Sequence, residues 1–141
     1  MTASRGKANP PIAPAVAAVV TAYPERAQAY FGVLRGHIFD AAERLQAGPL
    51  TETLKWGEPA YLTSATGAGT TIRLTWKPRA PAMLQLLVHC QTSLVEHWRN
   101  RFPDLECDGN RAVNLPLSEA LPMHLLEPCI AMALTYHRTR S

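Results

Sequence analysis

The sequence has 141 residues, of which 47% are hydrophobic and 18% charged. That length is the usual size of one domain, and so low a charge excludes long disordered tracts between its ends. Of its 14 Lys and Arg residues, Arg5, Lys7, Arg138 and Arg140 lie near the termini, and the rest are balanced by 11 acidic residues. The body is thus near neutral and lacks the massed basic face that nucleic-acid binding needs.

Residues 1–13 read as a flexible tail and residues 14–138 as a single domain. The first twenty residues place basic groups before an apolar stretch, but Pro10, Pro11 and Pro14 break it and leucine is absent. No small-x-small site precedes Tyr23-Pro24, so a secretion leader is not expected. No stretch approaches the ~18 apolar residues of a membrane span.

A short helix is predicted at about 14–21. Pro24 suits the first turn of the next helix, where its missing N–H costs nothing. From there Ala27, Phe31, Leu34, Ile38, Ala41 and Leu45 recur at steps of four and three, one apolar stripe on a long helix. Gly32 and Gly36 weaken that helix by up to ~1 kcal/mol each; their spacing points to close backbone packing or a bend. Gly48-Pro49 is the expected stop.

The period then changes to two. Residues 51–63 read as an extended ribbon bent at Gly57, and 64–69 as a turn. In TTIRLTWK (70–77), Ile72, Leu74 and Trp76 share one face and Arg73, Thr75 and Lys77 the other, a half-buried strand. AMLQLLVHC (82–90) is apolar on both faces, so it belongs between the sheet's edges. Ser93 and Glu96 form a capping-box pattern ahead of a helix with Leu94, Val95, Trp98 and Phe102 inward. The basic run at 99–101 reads as that helix's solvated end. Asp108-Gly109-Asn110 between alternating runs reads as a hairpin turn. Leu121, Leu125, Cys129, Met132 and Tyr136 make the stripe of a last helix, entered at Pro122 and kinked at Pro128. Connections this short fix antiparallel pairing, so the fold class is α+β: a mostly antiparallel sheet of about five strands with N-terminal and C-terminal helices packed on it.

Three cysteines, Cys90, Cys107 and Cys129, are widely spaced and form no CxxC, so reduced thiols in a cytosolic protein are expected rather than a disulfide framework or a zinc site.

LKWGEPAYL, the strand after it, and HCQTSLVEHWRNRF followed by GNRAVNLPL resemble the YdhG-like family of small bacterial cytosolic domains over about residues 14–138. The element that carries the resemblance is Trp56, Gly57, Pro59 and Tyr61. It implies an α+β fold with an antiparallel sheet and packing helices. One branch of that family is described as a frataxin-like intracellular iron chaperone, so iron enters here by resemblance only. No catalytic residues carry over.

KWGEPAY (55–61) admits two readings. Pro59 drives Glu58 out of the helical region and Gly57 can take a positive φ, so the segment kinks and re-aims its neighbours. On the architectural reading Trp56 and Tyr61 pack with Trp76 as an aromatic lid on the core. On the functional reading Lys55, Trp56, Glu58, Tyr61, Arg73 and Trp76 line an aromatic-walled pocket. The expectation for function is a non-catalytic binding domain for a small molecule or protein partner, with iron handling as the alternative and a small enzyme as a further one. No membrane and no nucleic-acid partner are expected, and the oligomeric state is open.

Other groups have blander readings. Asp104, Glu106 and Asp108 alternate, which puts three carboxylates on one face of a strand. With Leu105 and Cys107 turned inward, that face is the solvated side of an edge strand. Cys90 reads as a small buried hydrophobe, and neighbouring His89 points the other way. A partner for it would have to come from His124 or His137. His37 belongs at the core's edge. No nucleotide-binding or nucleophile-elbow motif is present.

Overall fold

A computed structural model of the chain describes residues 9–138. Four helices and six strands follow in chain order: α1 (Pro14–Val20), α2 (Glu25–Arg44), β1 (Thr51–Lys55), β2 (Glu58–Leu62), β3 (Ile72–Thr75), β4 (Met83–Leu87), α3 (Leu94–Arg101), β5 (Glu106–Asp108), β6 (Ala112–Pro116) and α4 (Met123–Leu134). The strands form one sheet in the order β1-β2-β3-β4-β6-β5, every neighbouring pair antiparallel. The expected α+β class is what the chain adopts, with β1 supplying a sixth strand. No helix among the described residues is long and apolar enough to cross a membrane.

The register sorts side chains between two faces. Leu54, Tyr61, Ile72, Leu74, Leu84, Leu86, Val113 and Leu115 share one face and form the core with Val16 and Val20 of α1, Phe31, Leu34 and Ile38 of α2, Trp98 of α3, and Leu126 and Ile130 of α4. All four helices therefore cover that face. Each large aliphatic side chain so buried contributes about 1.5–3 kcal/mol.

Local chemistry sets the element ends. α2 closes in a Schellman motif three residues before the Gly48 stop that its sequence suggests: Ala47 N–H donates to the Ala42 carbonyl (2.8 Å) and Gln46 N–H to that of Glu43 (3.2 Å). Gln46 itself takes the left-handed position, φ 58°. Arg138, near the C-terminus, donates to the carbonyls of Leu45 and Gln46. Gly69 lies so close to the end of α4 that a Cβ there would stand 2.3 Å from the Ala133 carbonyl oxygen. Thr70 N–H donates to that same oxygen.

Other expectations need correction. Of the tail, residues 1–8 lie outside the described residues, while Pro10 and Ala13 are tied down: Arg35 donates to the Pro10 carbonyl (2.8 Å) and Ala13 N–H to Glu52 (2.9 Å). Gly32 meets no neighbour and Gly36 only the Asn9 side chain, so neither supports close helix packing within the chain. Ser93 caps α3 without a side-chain hydrogen bond. In α4 the inward positions are Leu126, Cys129, Ile130, Ala133 and Leu134, a rotation of the expected stripe that keeps only Cys129 of its helical members. Cys90 is exposed, because β4 ends at Leu87 and His89 begins a turn closed by Thr92 N–H on its carbonyl.

Candidate functional site

The other face of the sheet carries no helix, and its character is polar. Lys55 pairs with Glu58, Thr75 with Gln85, Gln85 with Asn114, and Asn114 with Glu106. The β2–β3 register, which sets Ala60 against Arg73, continues to set Glu58 against Thr75. One polar residue from every strand thus lies in a single row, Lys55–Glu58–Thr75–Gln85–Asn114–Glu106, crossing the sheet. Ala60, Leu87 and Ala112 beside the row are buried yet stand outside the helix-covered core.

Contacts knit the row together. The Glu58 carboxylate, 8% exposed, accepts Arg73 Nη1 at 2.6 Å and Lys77 Nζ at 2.9 Å. Gln85 Nε2 donates to Asn114 Oδ1 (2.8 Å), and Asn114 Nδ2 donates to Glu106 Oε2 (3.2 Å). No buried side-chain nitrogen or oxygen among the described residues lacks a partner, so the guanidinium nitrogens of Arg73 that Glu58 leaves unbonded reach solvent. At its β5 end the row borders a cleft of about 200 Å3, lined in part by Asp104, Glu106, Asn114, Glu119 and His124.

The six residues expected around one pocket are divided by the strand period. Lys55, Glu58 and Arg73 come together on the uncovered face. Tyr61 points the other way, fully buried, with its hydroxyl donating to Glu52 at 2.8 Å and Phe39 edge-on at 5.7 Å. Burial, and then the Glu52 carboxylate, push its phenol well above the ordinary tyrosine value. Trp76 is half-buried on Tyr23, ring centroids 5.9 Å apart, its indole N–H donating to the Pro81 carbonyl. Trp56 belongs to neither group. With Lys55 paired to Glu58, Trp56 and Gly57 are the whole loop of the β1–β2 hairpin, at φ 57° and 77°, a type I′ pair. Trp56 is 89% exposed, so it is neither a lid on the core nor the wall of a pocket.

Lys77, Thr75, Gln85 and Asn114 were not singled out by their sequence. Their signal was the alternation itself: each falls out of phase with the apolar residues of its strand. Arg35 and Glu52 were missed too, because a carboxylate one step from a strand's edge gives no hint that it turns inward. Glu52 accepts Arg35 at 2.6 and 3.0 Å, Tyr61 and Ala13 N–H. Burial would raise its carboxyl, but the bonds from Arg35, Ala13 and Tyr61 outweigh that and hold it below the usual carboxylate value.

Of the remaining candidates, Glu106 and Asp108 are exposed on β5 while Leu105 is buried and Cys107 half-buried, as an edge strand requires. Among the described residues no three His, Cys, Asp or Glu side chains converge on a point that could hold an ion. His37 Nδ1 lies 3.0 Å from Glu127 at the rim of the core. A broader groove of about 1340 Å3 follows the outer side of α2 past Gly32, Val33, Gly36 and Pro49. Compared with protein-family models, curated proteins and solved structures, the chain finds no match.

Proposed function

We propose that the chain is a non-catalytic binding domain of the YdhG-like family, working in the cytoplasm, whose ligand surface is the uncovered sheet face. The ligand it fits is a small polar molecule bearing negative charge. The observation that carries this reading is the imbalance around Glu58. One carboxylate is flanked by Arg73 at 2.6 Å, Lys77 at 2.9 Å and Lys55 opposite it in the ladder. Three cations around one anion leave an unneutralised positive excess, with the half-buried Gln85 amide the neutral polar group further along the row. An anion about 4 Å from one such cation gains about 1 kcal/mol in bulk water and about 4 kcal/mol where the effective dielectric constant is about 20.

The non-catalytic part of the reading is supported by where the reactive side chains lie. Burial pushes the Cys129 thiol up to about 12 and raises that of Cys107. Cys90 sits in the loop after β4, and neighbouring His89 spends Nδ1 accepting Gln91 N–H at 3.0 Å. All three cysteines are free thiols, which suits a reducing compartment.

Amide chemical shifts of labelled protein, titrated with inorganic phosphate, succinate and neutral acetamide, test this. The two anions should move Glu58, Arg73, Thr75, Lys77 and Gln85, acetamide should not, and Arg73→Met should weaken the response. No response to either anion, or one confined to another part of the molecule, would overturn the reading. Iron(II) added to the same sample tests the alternative: broadening centred on Asp104, Glu106 and Asp108 would favour iron handling.

A further inference from the structure

Trp56 is poorly suited to its place in the fold in two ways. Its φ of 57° is a left-handed conformation for which Asn, Asp and Gly are the ordinary occupants, and its indole is 89% exposed. The other exposed large hydrophobics among the described residues, Ile12 and Val33, are 37% and 44% exposed. A bulky residue held in a left-handed conformation is an outlier of the kind that clusters at functional contacts. Lys55 beside it is exposed too, so the hairpin presents an aromatic ring with a cation at its base.

The complementary shape lies on the same molecule. The polar row fixes which ends of the strands coincide: the tip next to Glu58 and the start of β5 at Glu106 lie at the same end of the sheet, on opposite edges, roughly 24 Å apart across six strands. There the cleft of about 200 Å3 has Leu105, Leu121 and Leu125 among its walls and the carboxylates of Asp104, Glu106 and Glu119 around them, with no Lys or Arg in its lining. An indole suits its apolar part, and the Lys55 ammonium suits its carboxylates.

We propose that the chain associates as a two-fold dimer in which the Lys55-Trp56-Gly57 tip of each copy enters the Glu106–Glu119 cleft of the other. The axis runs perpendicular to the sheet at its hairpin end, midway between the edges. Rotation about it exchanges the edges and sets the two sheets end to end, so both tips meet clefts at once and the assembly closes as a pair. The connection from Trp76 to Ala82, which joins the two central strands, faces its twin at that axis. Its exposed Arg79 opposes association there, and Arg79→Ala should tighten the dimer.

Sedimentation velocity of the full chain from micromolar to millimolar concentration, with urea melts of each variant, tests this. The wild-type sedimentation coefficient should rise with concentration. Trp56→Asn should weaken dimerisation about tenfold or more, as loss of an aromatic anchor does, while its urea midpoint, read at a concentration where both proteins are monomeric, holds or rises because Asn suits that φ. Glu119→Lys should also weaken the dimer, and adding Lys55→Glu to it should recover much of the loss. A wild-type protein that stays monomeric throughout would overturn the proposal, as would Trp56→Asn dimerising normally or the charge-exchanged pair doing no better than Glu119→Lys. A Trp56→Asn variant less stable than wild type at a concentration where both are monomeric would remove its premise and sink it as well.

Discussion

The β1–β2 hairpin holds two buried carboxylates, one on each face, and each is paired with an arginine. Glu52, 7% exposed in its side chain, lies under the helices, and its two oxygens receive Arg35, Tyr61 and Ala13 N–H. Arg35 in turn reaches the Pro10 carbonyl and lies over the Phe39 ring at 4.7 Å. Glu58, 8% exposed, is held by Arg73 and by a Lys77 that is itself 36% exposed. Similar burial therefore hides different circumstances. The first network is closed, joining the N-terminal segment, α2 and the hairpin. The second has more cation than it can neutralise and faces solvent. A closed ion pair fixes structure, whereas an open one retains capacity for a ligand.

The largest expected effect breaks the closed network. Arg35→Ala leaves Glu52 buried without its main partner and should cost about 3–5 kcal/mol in urea unfolding. Arg73→Ala, on the other face, should cost less, about 1–3 kcal/mol, because Lys77 at 2.9 Å keeps a cation on Glu58. Equal losses at the two sites would abolish the distinction.

Acid should dissolve the same network without mutation. Because the folded-state pKa of Glu52 lies below its unfolded value, its contribution is fully present above the unfolded value of about 4.3 and is lost as pH falls through the folded one. The stability gap between wild type and Glu52→Gln should therefore be constant near neutrality and narrow below about pH 4. A gap that widened in acid would contradict this.

Tyr61→Phe removes one donor from Glu52 while keeping the ring, and about 1–3 kcal/mol should be lost in the same melts. At the turn, Gly57→Val meets no steric neighbour but must take φ 77°, so more than about 1 kcal/mol is expected. Trp56→Ala should change stability by less than about 1 kcal/mol, since the indole it removes is 89% exposed. Together these two variants separate backbone strain from side-chain packing within one turn.

What was legible in the sequence follows from how strong each periodic signal is. The α2 stripe from Ala27 to Ala41, the alternation in β3 and the apolar run of β4 are many-residue patterns, and they place the inner strands and their covering helix correctly. The hairpin turn was obscured by its own residue: a tryptophan in a left-handed position disguises the type I′ pair, so two strands and a turn read as one bent ribbon. The candidate site was half legible. Glu58 and Arg73 do meet, with Lys55 facing Glu58 in the ladder, but Tyr61, three residues after Glu58, must point to the opposite face, and grouping them by aromatic character ignores that phase. Cys90 was misplaced because an apolar run does not mark where a strand's hydrogen bonds stop.

An ion pair that closes only in one alignment also acts as a register key. β1 is an edge strand of five residues, held on one side alone, and such strands are prone to slide or to recruit a foreign strand. A slip of one residue would turn Glu52 and Leu54 out to the uncovered face and bring Thr51, Thr53 and Lys55 under the helices. Arg35 would then be stranded with no anion, and Lys55 would be driven into the apolar layer. Those misalignment costs fall on a partly folded chain as well as on the native one. They guard the exposed margin of the sheet while the hairpin is still assembling, when amyloid-like pairing between chains is otherwise easiest.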